Sequence, residues 1–163
     1  MLYVTEITLR DFPGTEADAA ATTQNPGRYR VWSACGEKDR ESAQVWIDIF
    51  QLGVKDRQSA IKGLLHFVKL AQIGQPLTSL MDKKRLHDVH SFFSAHTQAN
   101  ETVWRYRHGD IRVLFYYADG KAVLLSGLLA KRKEGYSAAE LNAAEQAINA
   151  YLAARRASRV KLI

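Results

Sequence analysis

Residues 103–136 read VWRYRHGDIRVLFYYADGKAVLLSGLLAKRKEGY, and the fold turns on how this stretch is divided into strands. Three apolar runs are broken at Gly109-Asp110 and at Asp119-Gly120. Both dipeptides tolerate positive φ, so each predicts a two-residue hairpin turn, with Asp119-Gly120 the stronger signal. Strands are expected over residues 102–107, 111–117 and 121–129. A cluster of cations is threaded through them: Arg105, Arg107, Arg112, Lys131, Arg132 and Lys133.

Register decides where those cations go. A two-residue loop at Gly109-Asp110 pairs Arg107 with Arg112 and Arg105 with Leu114, all on one side of the sheet. The other side then collects Trp104, Tyr106, Ile111, Val113, Phe115 and Tyr117, an apolar face for helices to cover. A three-residue loop would place Arg105 and Arg107 beside Ile111 and Val113, where unpaired cations are costly. The two-residue register is therefore expected, and it concentrates positive charge on one face. A merely solvated or salt-bridged arginine face is the plainer alternative.

Upstream, Val45, Trp46, Ile49 and Phe50 share one helical face ending near Gly53. Asp56 is the expected N-cap of a second helix carrying Ala60, Ile61, Leu64, Phe67, Val68 and Ala71, stopped by Gly74 with Pro76 beyond. Two antiparallel amphipathic helices need a shared apolar surface, which a sheet supplies. Residues 87–101 read as a loop. Downstream, Ser137 to Glu140 form a capping box opening a last helix with Leu141, Ala144, Ile148, Tyr151 and Leu152 inward.

Residues 1–27 read as an N-terminal arm, with a short strand over 2–9 and a loop punctuated by Pro13 and Pro26. A core strand follows over 28–34, the main domain runs 28–155, and 156–163 form a basic tail.

The chain has 163 residues, is 47% hydrophobic and carries a formal charge of +6, which suits one domain with a substantial core. Residues 1–82 hold 9 Lys+Arg against 10 Asp+Glu, whereas residues 83–163 hold 14 against 7. All the excess lies in the second half, which points to an anionic partner. The single Cys35 forms no intramolecular disulfide and suits a reducing cytosol, where it reads as a structural thiol. No run approaches a membrane span, and the first residues lack a signal pattern, so a cytoplasmic protein is expected. The cations at Arg155, Arg156, Arg159 and Lys161 lack the wide apolar face a membrane-surface helix needs.

The runs WRYRHGDIRVLFYY, LLSGLLAKRK and YSAAELNAAEQAINAY, preceded by AIKGLLHFVKLAQIGQPL, resemble the RelE/ParE superfamily of toxins, most closely its phage-derived HigB-like branch. The likeness covers about residues 28–155. It implies an α+β, RelE-like microbial RNase type fold: two N-terminal helices packed on a twisted antiparallel sheet, plus a C-terminal helix. It also implies the toxin of a type II toxin–antitoxin system, a metal-independent, ribosome-dependent mRNA endoribonuclease (an mRNA interferase) that inhibits translation. The expected partners are mRNA, the ribosome and a cognate antitoxin, with no cofactor and no membrane.

Such an enzyme activates the 2′-hydroxyl against the adjacent phosphate, so it must hold the backbone, stabilise the phosphorane and move protons. By resemblance, Arg112 holds the scissile phosphate and Arg105 occupies a position that is a catalytic lysine in some members. Arg107 matches the arginine of the E-L-R motif. Lys131, Arg132 and Lys133 match the basic turn after the last strand, and Tyr136 falls near a functional tyrosine. The sequence departs from the pattern where Arg105 replaces the glutamate of E-L-R, Ala130 a lysine, and Tyr136 a proline. Arginine stays protonated and cannot be a general base. Proton transfer is then expected from Tyr136, Lys131 or the turn residue His108, for which a solvated role is the simpler alternative.

Other readings remain open. His87, His90 and His96 invite a metal site, but they lack a cysteine or a helical H-E-x-x-H frame, and no metal is expected. ParE-type members inhibit gyrase without RNA chemistry, and a non-catalytic RNA- or protein-binding descendant is a third class.

Overall fold

The chain runs β1 (Leu2–Ile7), β2 (Arg30–Cys35), α1 (Gln44–Phe50), α2 (Val54–Ile73) and a short α3 (Leu77–Leu80) in its first half. Then come β3 (Leu86–Ser94), β4 (Ala99–His108), β5 (Ile111–Ala118), β6 (Ala122–Ala130), α4 (Ala138–Arg156) and β7 (Val160–Leu162). The computed structural model describes residues 1–14, 24–132 and 135–163. Among the described residues the strands form one seven-stranded sheet in the order β3-β4-β5-β6-β2-β1-β7. The β6–β2 and β1–β7 neighbours are parallel and the other pairs antiparallel.

This architecture overturns the expected RelE-like fold of two N-terminal helices on a twisted antiparallel sheet. The sheet is mixed, and two of its strands precede the first helix. The segment read as an arm contributes β1, whose Val4, Thr5 and Ile7 are buried between β2 and β7. The segment read as a tail contributes β7. Both pairings join parts of the chain far apart in sequence, which local periodicity does not register.

A second correction concerns residues 87–101, where β3 and the start of β4 replace the expected loop. The ladder slips between Asp88 and His90, so a bulge at Val89 breaks the period-two pattern that marks a strand.

The β4–β5 hairpin closes as expected, with Gly109 and Asp110 in the loop, Arg107 opposite Arg112 and Arg105 opposite Leu114. Gly109 takes φ +58°, the left-handed region such a turn requires. The next turn uses three residues instead of two, because Ala118 pairs with Ala122.

Each face of the sheet carries its own core. Helices α1 and α2 cover Tyr106, Ile111, Val113 and Phe115 with Val45, Ile49, Leu64 and Phe67. Phe67 contributes most visibly: its ring lies 5.1 Å from Phe115 and 5.4 Å from Tyr106. Helix α2 starts after Gly53, with Asp56 in its first turn instead of at the cap, and ends at Gly74 with φ +82°. Helix α4 opens with the Ser137–Glu140 capping box and covers Val103, Leu114, Tyr116 and Leu124 on the opposite face.

Candidate functional site

Helix α4 covers only part of its face. Toward the β4–β5 turn the same face presents Arg105, Arg107 and Arg112 beside the cleft. The β3 start, the β4–β5 turn and the β6 end meet at this point, and together with the loop before α4 they frame a cleft of about 590 Å³. Lys83, Lys84, His87 and Asp88 line it from the β3 side; Lys131, Gly135 and Tyr136 line it from the loop.

Arg105 and Arg112 are the unusual members, only 7% and 9% exposed. Arg105 Nη2 donates to the Lys84 carbonyl oxygen at 2.9 Å, while its buried Nε has no hydrogen-bond partner. Arg112 Nη1 donates to the carbonyl oxygens of Gly109 at 2.6 Å and Ile111 at 3.1 Å. Among the described residues neither guanidinium pairs with a carboxylate. Burial lowers both pKa values, and neighbouring arginines act in the same direction, with Tyr136 partly opposing. Arginine remains charged throughout. Both guanidiniums donate to backbone carbonyls, and among the described residues no carboxylate is ion-paired with either.

Tyr136 stands beside them. Burial raises its pKa, and the Arg105 and Arg112 guanidiniums oppose that without reversing it. The hydroxyl is buried, and among the described residues no hydrogen bond of good geometry reaches it. It is a proton donor held next to two cations. Lys131 is committed differently: its Nζ lies 2.7 Å from Glu140 Oε1 and 5.4 Å from the Tyr136 ring centroid. The α4 capping carboxylate therefore also ties down a cation that lies over the Tyr136 ring.

The remaining sequence candidates disperse. His108 lies on the opposite face, where its ring packs 5.1 Å from His66 and a Cβ added at Gly63 would meet its Cβ at 3.0 Å. It takes no part in the cleft. Arg132 turns away to pair with Asp56 at 2.7 Å, so the basic turn does not act as a unit. Lys133 falls outside the described residues. Arg107, exposed at the rim, donates to the Gly109 carbonyl oxygen at 3.3 Å.

Sequence reading missed Lys83, Lys84 and His87 as site residues. The charged run Asp82 to Arg85 was visible, but only the pairing of His87 with Arg105 brings it to the arginines. The histidines of this segment diverge, with His90 Nε2 bonded to Glu145 Oε1 at 2.5 Å. Among the described residues no three His, Cys, Asp or Glu side chains converge to hold a metal. Cys35 is buried, and burial pushes its thiol pKa up. No described helix is long and apolar enough to cross a membrane.

Compared with protein-family models and with curated proteins, the chain finds no match.

Proposed function

We propose that this protein binds a single-stranded RNA backbone in the cleft and cleaves it. We read it as the mRNA-cleaving toxin of a cytoplasmic type II toxin–antitoxin pair that acts on translating ribosomes. The observation that carries the reading is the pair of buried guanidiniums, Arg105 and Arg112, without a carboxylate partner among the described residues and open to a cleft. A buried charge left unpaired is strongly destabilising, so the arrangement is explained best by an anion that arrives with the ligand. Arginine's planar fork suits phosphate oxygens bidentately.

The chemistry follows from the parts. Attack by the RNA's own 2′-hydroxyl places extra negative charge on the phosphoryl oxygens, and the fixed, largely buried guanidiniums stabilise that charge. Tyr136, a phenol that is protonated at neutral pH and that burial makes less acidic still, supplies the proton the departing 5′-oxygen needs. Lys83, Lys84 and Arg107 at the rim extend the positive surface along the strand. The toxin reading rests on the strand motif that carries Arg105, Arg107 and Arg112, with Lys131 from the basic turn, and the antitoxin would bring carboxylates to the same cations.

The test is primer extension on mRNA in a reconstituted translation reaction with the wild type and Arg112→Ala. New cuts within the coding region are expected with the wild type, and a loss of about 10²- to 10³-fold with the variant. Intact mRNA with blocked DNA supercoiling would move the reading to a topoisomerase inhibitor.

A further inference from the structure

The cleft described above holds cations and a proton donor but still needs a group that removes the 2′-hydroxyl proton. We infer that His87 is that general base, acting through Nε2. The inference rests on the RNA-cleaving reading of the same cleft and adds the residue that starts the reaction.

Three observations converge on His87. It lies directly opposite Arg105 in the β3–β4 ladder, so both side chains leave the same face of the sheet. It lines the cleft together with Arg105, Arg112 and Tyr136. Its Nδ1 sits 2.6 Å from the Asp88 carbonyl oxygen. A carbonyl oxygen only accepts, so Nδ1 carries the hydrogen, and the lone pair of the neutral ring lies on Nε2. That backbone bond also holds the ring's orientation, much as an outer partner orients a metal-binding histidine.

The charged surroundings come from every neighbouring element. Lys83 and Lys84 approach from the preceding turn, and Asp88 adjoins on the same strand. Arg105 and Arg107 line the same cleft from β4, Arg112 from β5, and Lys131 and Tyr136 from the loop. Of the other cleft residues the arginines stay charged, Lys131 is ion-paired with Glu140 and Tyr136 is a donor, while a carboxylate such as that of Asp88 is a weaker base than a neutral imidazole. Histidine is the side chain whose charge changes near neutrality, which suits base catalysis.

The step balances without a co-reactant. The 2′-O–H proton passes to His87 Nε2 while the 2′-oxygen forms its bond to phosphorus. The phosphorus–5′-oxygen bond then breaks, and that oxygen takes the Tyr136 proton. The products are a 2′,3′-cyclic phosphate and a 5′-hydroxyl end, and solvent returns both side chains to their starting states.

The test compares the wild type with His87→Gln and His87→Ala on mRNA bound to reconstituted translating ribosomes, with circular dichroism to check folding. Cleavage by His87→Gln should fall about 10²- to 10⁴-fold, with RNA binding within about twofold of the wild type. The acidic limb of the wild-type pH–rate profile should disappear, and added imidazole should restore part of the His87→Ala rate. Long-range proton–nitrogen NMR should find the His87 hydrogen on Nδ1 in the neutral ring. Wild-type-like cleavage by His87→Gln with an unchanged pH profile overturns the assignment and leaves the RNA-cleaving reading standing. Equal loss of binding and cleavage, or a hydrogen on Nε2, also overturns it. Absence of cleavage by the wild type sinks the reading itself.

Discussion

His87 and Arg105 face each other across the β3–β4 ladder, a histidine opposite a 7%-exposed arginine that has no carboxylate partner among the described residues. A buried guanidinium held by a single carbonyl bond is expected to destabilise the free protein and to be retained for binding. Arg105→Met keeps most of the apolar stem and removes the charge. We expect its thermal midpoint to rise by about 2–4 °C, roughly 1 kcal/mol for a chain of this size, while RNA affinity falls. A lower midpoint in calorimetry would mean that Arg105 supports the fold.

Arg107 offers a contrast, because it is exposed at the cleft rim and its side chain donates to the turn carbonyl of Gly109. Arg107→Ala should leave stability nearly unchanged. Binding to single-stranded RNA should weaken by a similar factor for every sequence tried, and the slope of log affinity against log salt should shrink by about 0.7. Fluorescence anisotropy across a salt series measures both. An unaltered slope would remove Arg107 from the phosphate contacts.

Glu140 ties the site to helix α4. Burial pushes its carboxyl upward, but bonds from Lys131 and Ser137 outweigh that and leave the pKa lowered. With the folded value below the ordinary carboxylate value of about 4.3, this group's stabilisation is complete above that pH. It is lost as pH falls through the folded value. Thermal midpoints should therefore drop more steeply below about pH 4 in the wild type than in Glu140→Gln. Parallel curves would show that this carboxylate contributes nothing to stability.

Arg28 and Glu6 form a bidentate pair, with Nε–Oε2 at 2.7 Å and Nη2–Oε1 at 2.8 Å, and their side chains are 8% and 13% exposed. The pair fastens the residues before β2 to β1. Glu6→Ala strands a buried cation and should cost about 3–5 kcal/mol in urea unfolding. Combining Glu6→Ala with Arg28→Ala should cost well below the sum of the two single losses, so the coupling in the double-mutant cycle is large. Additive losses would show that the two side chains act separately.

Local rules carried much of this molecule. Gly109-Asp110 set the β4–β5 register, and with it the separation of Arg105, Arg107 and Arg112 from the face of Tyr106, Ile111, Val113 and Phe115. The capping box at Ser137 and the stop at Gly74 were legible because both act within a few residues of chain. So was the cationic excess of the second half.

Tertiary structure decided the rest, because strand partners and side-chain neighbours are not neighbours in sequence. Antiparallel pairing with β2 put β1 into the sheet, and the parallel β2–β6 and β1–β7 pairs joined the two halves, added β7 and made the sheet mixed. A bulge at Val89 hid β3, and β3 brings His87 to the arginines. Alternation along β4 sent His108 to the α2 face while Arg107 stayed at the cleft, although the two are adjacent in the chain. Likewise Lys131 pairs with Glu140 inside the site and Arg132 with Asp56 outside it. A strand reverses its side chains at every residue and a turn redirects them, so neighbouring cations in the sequence part company in space.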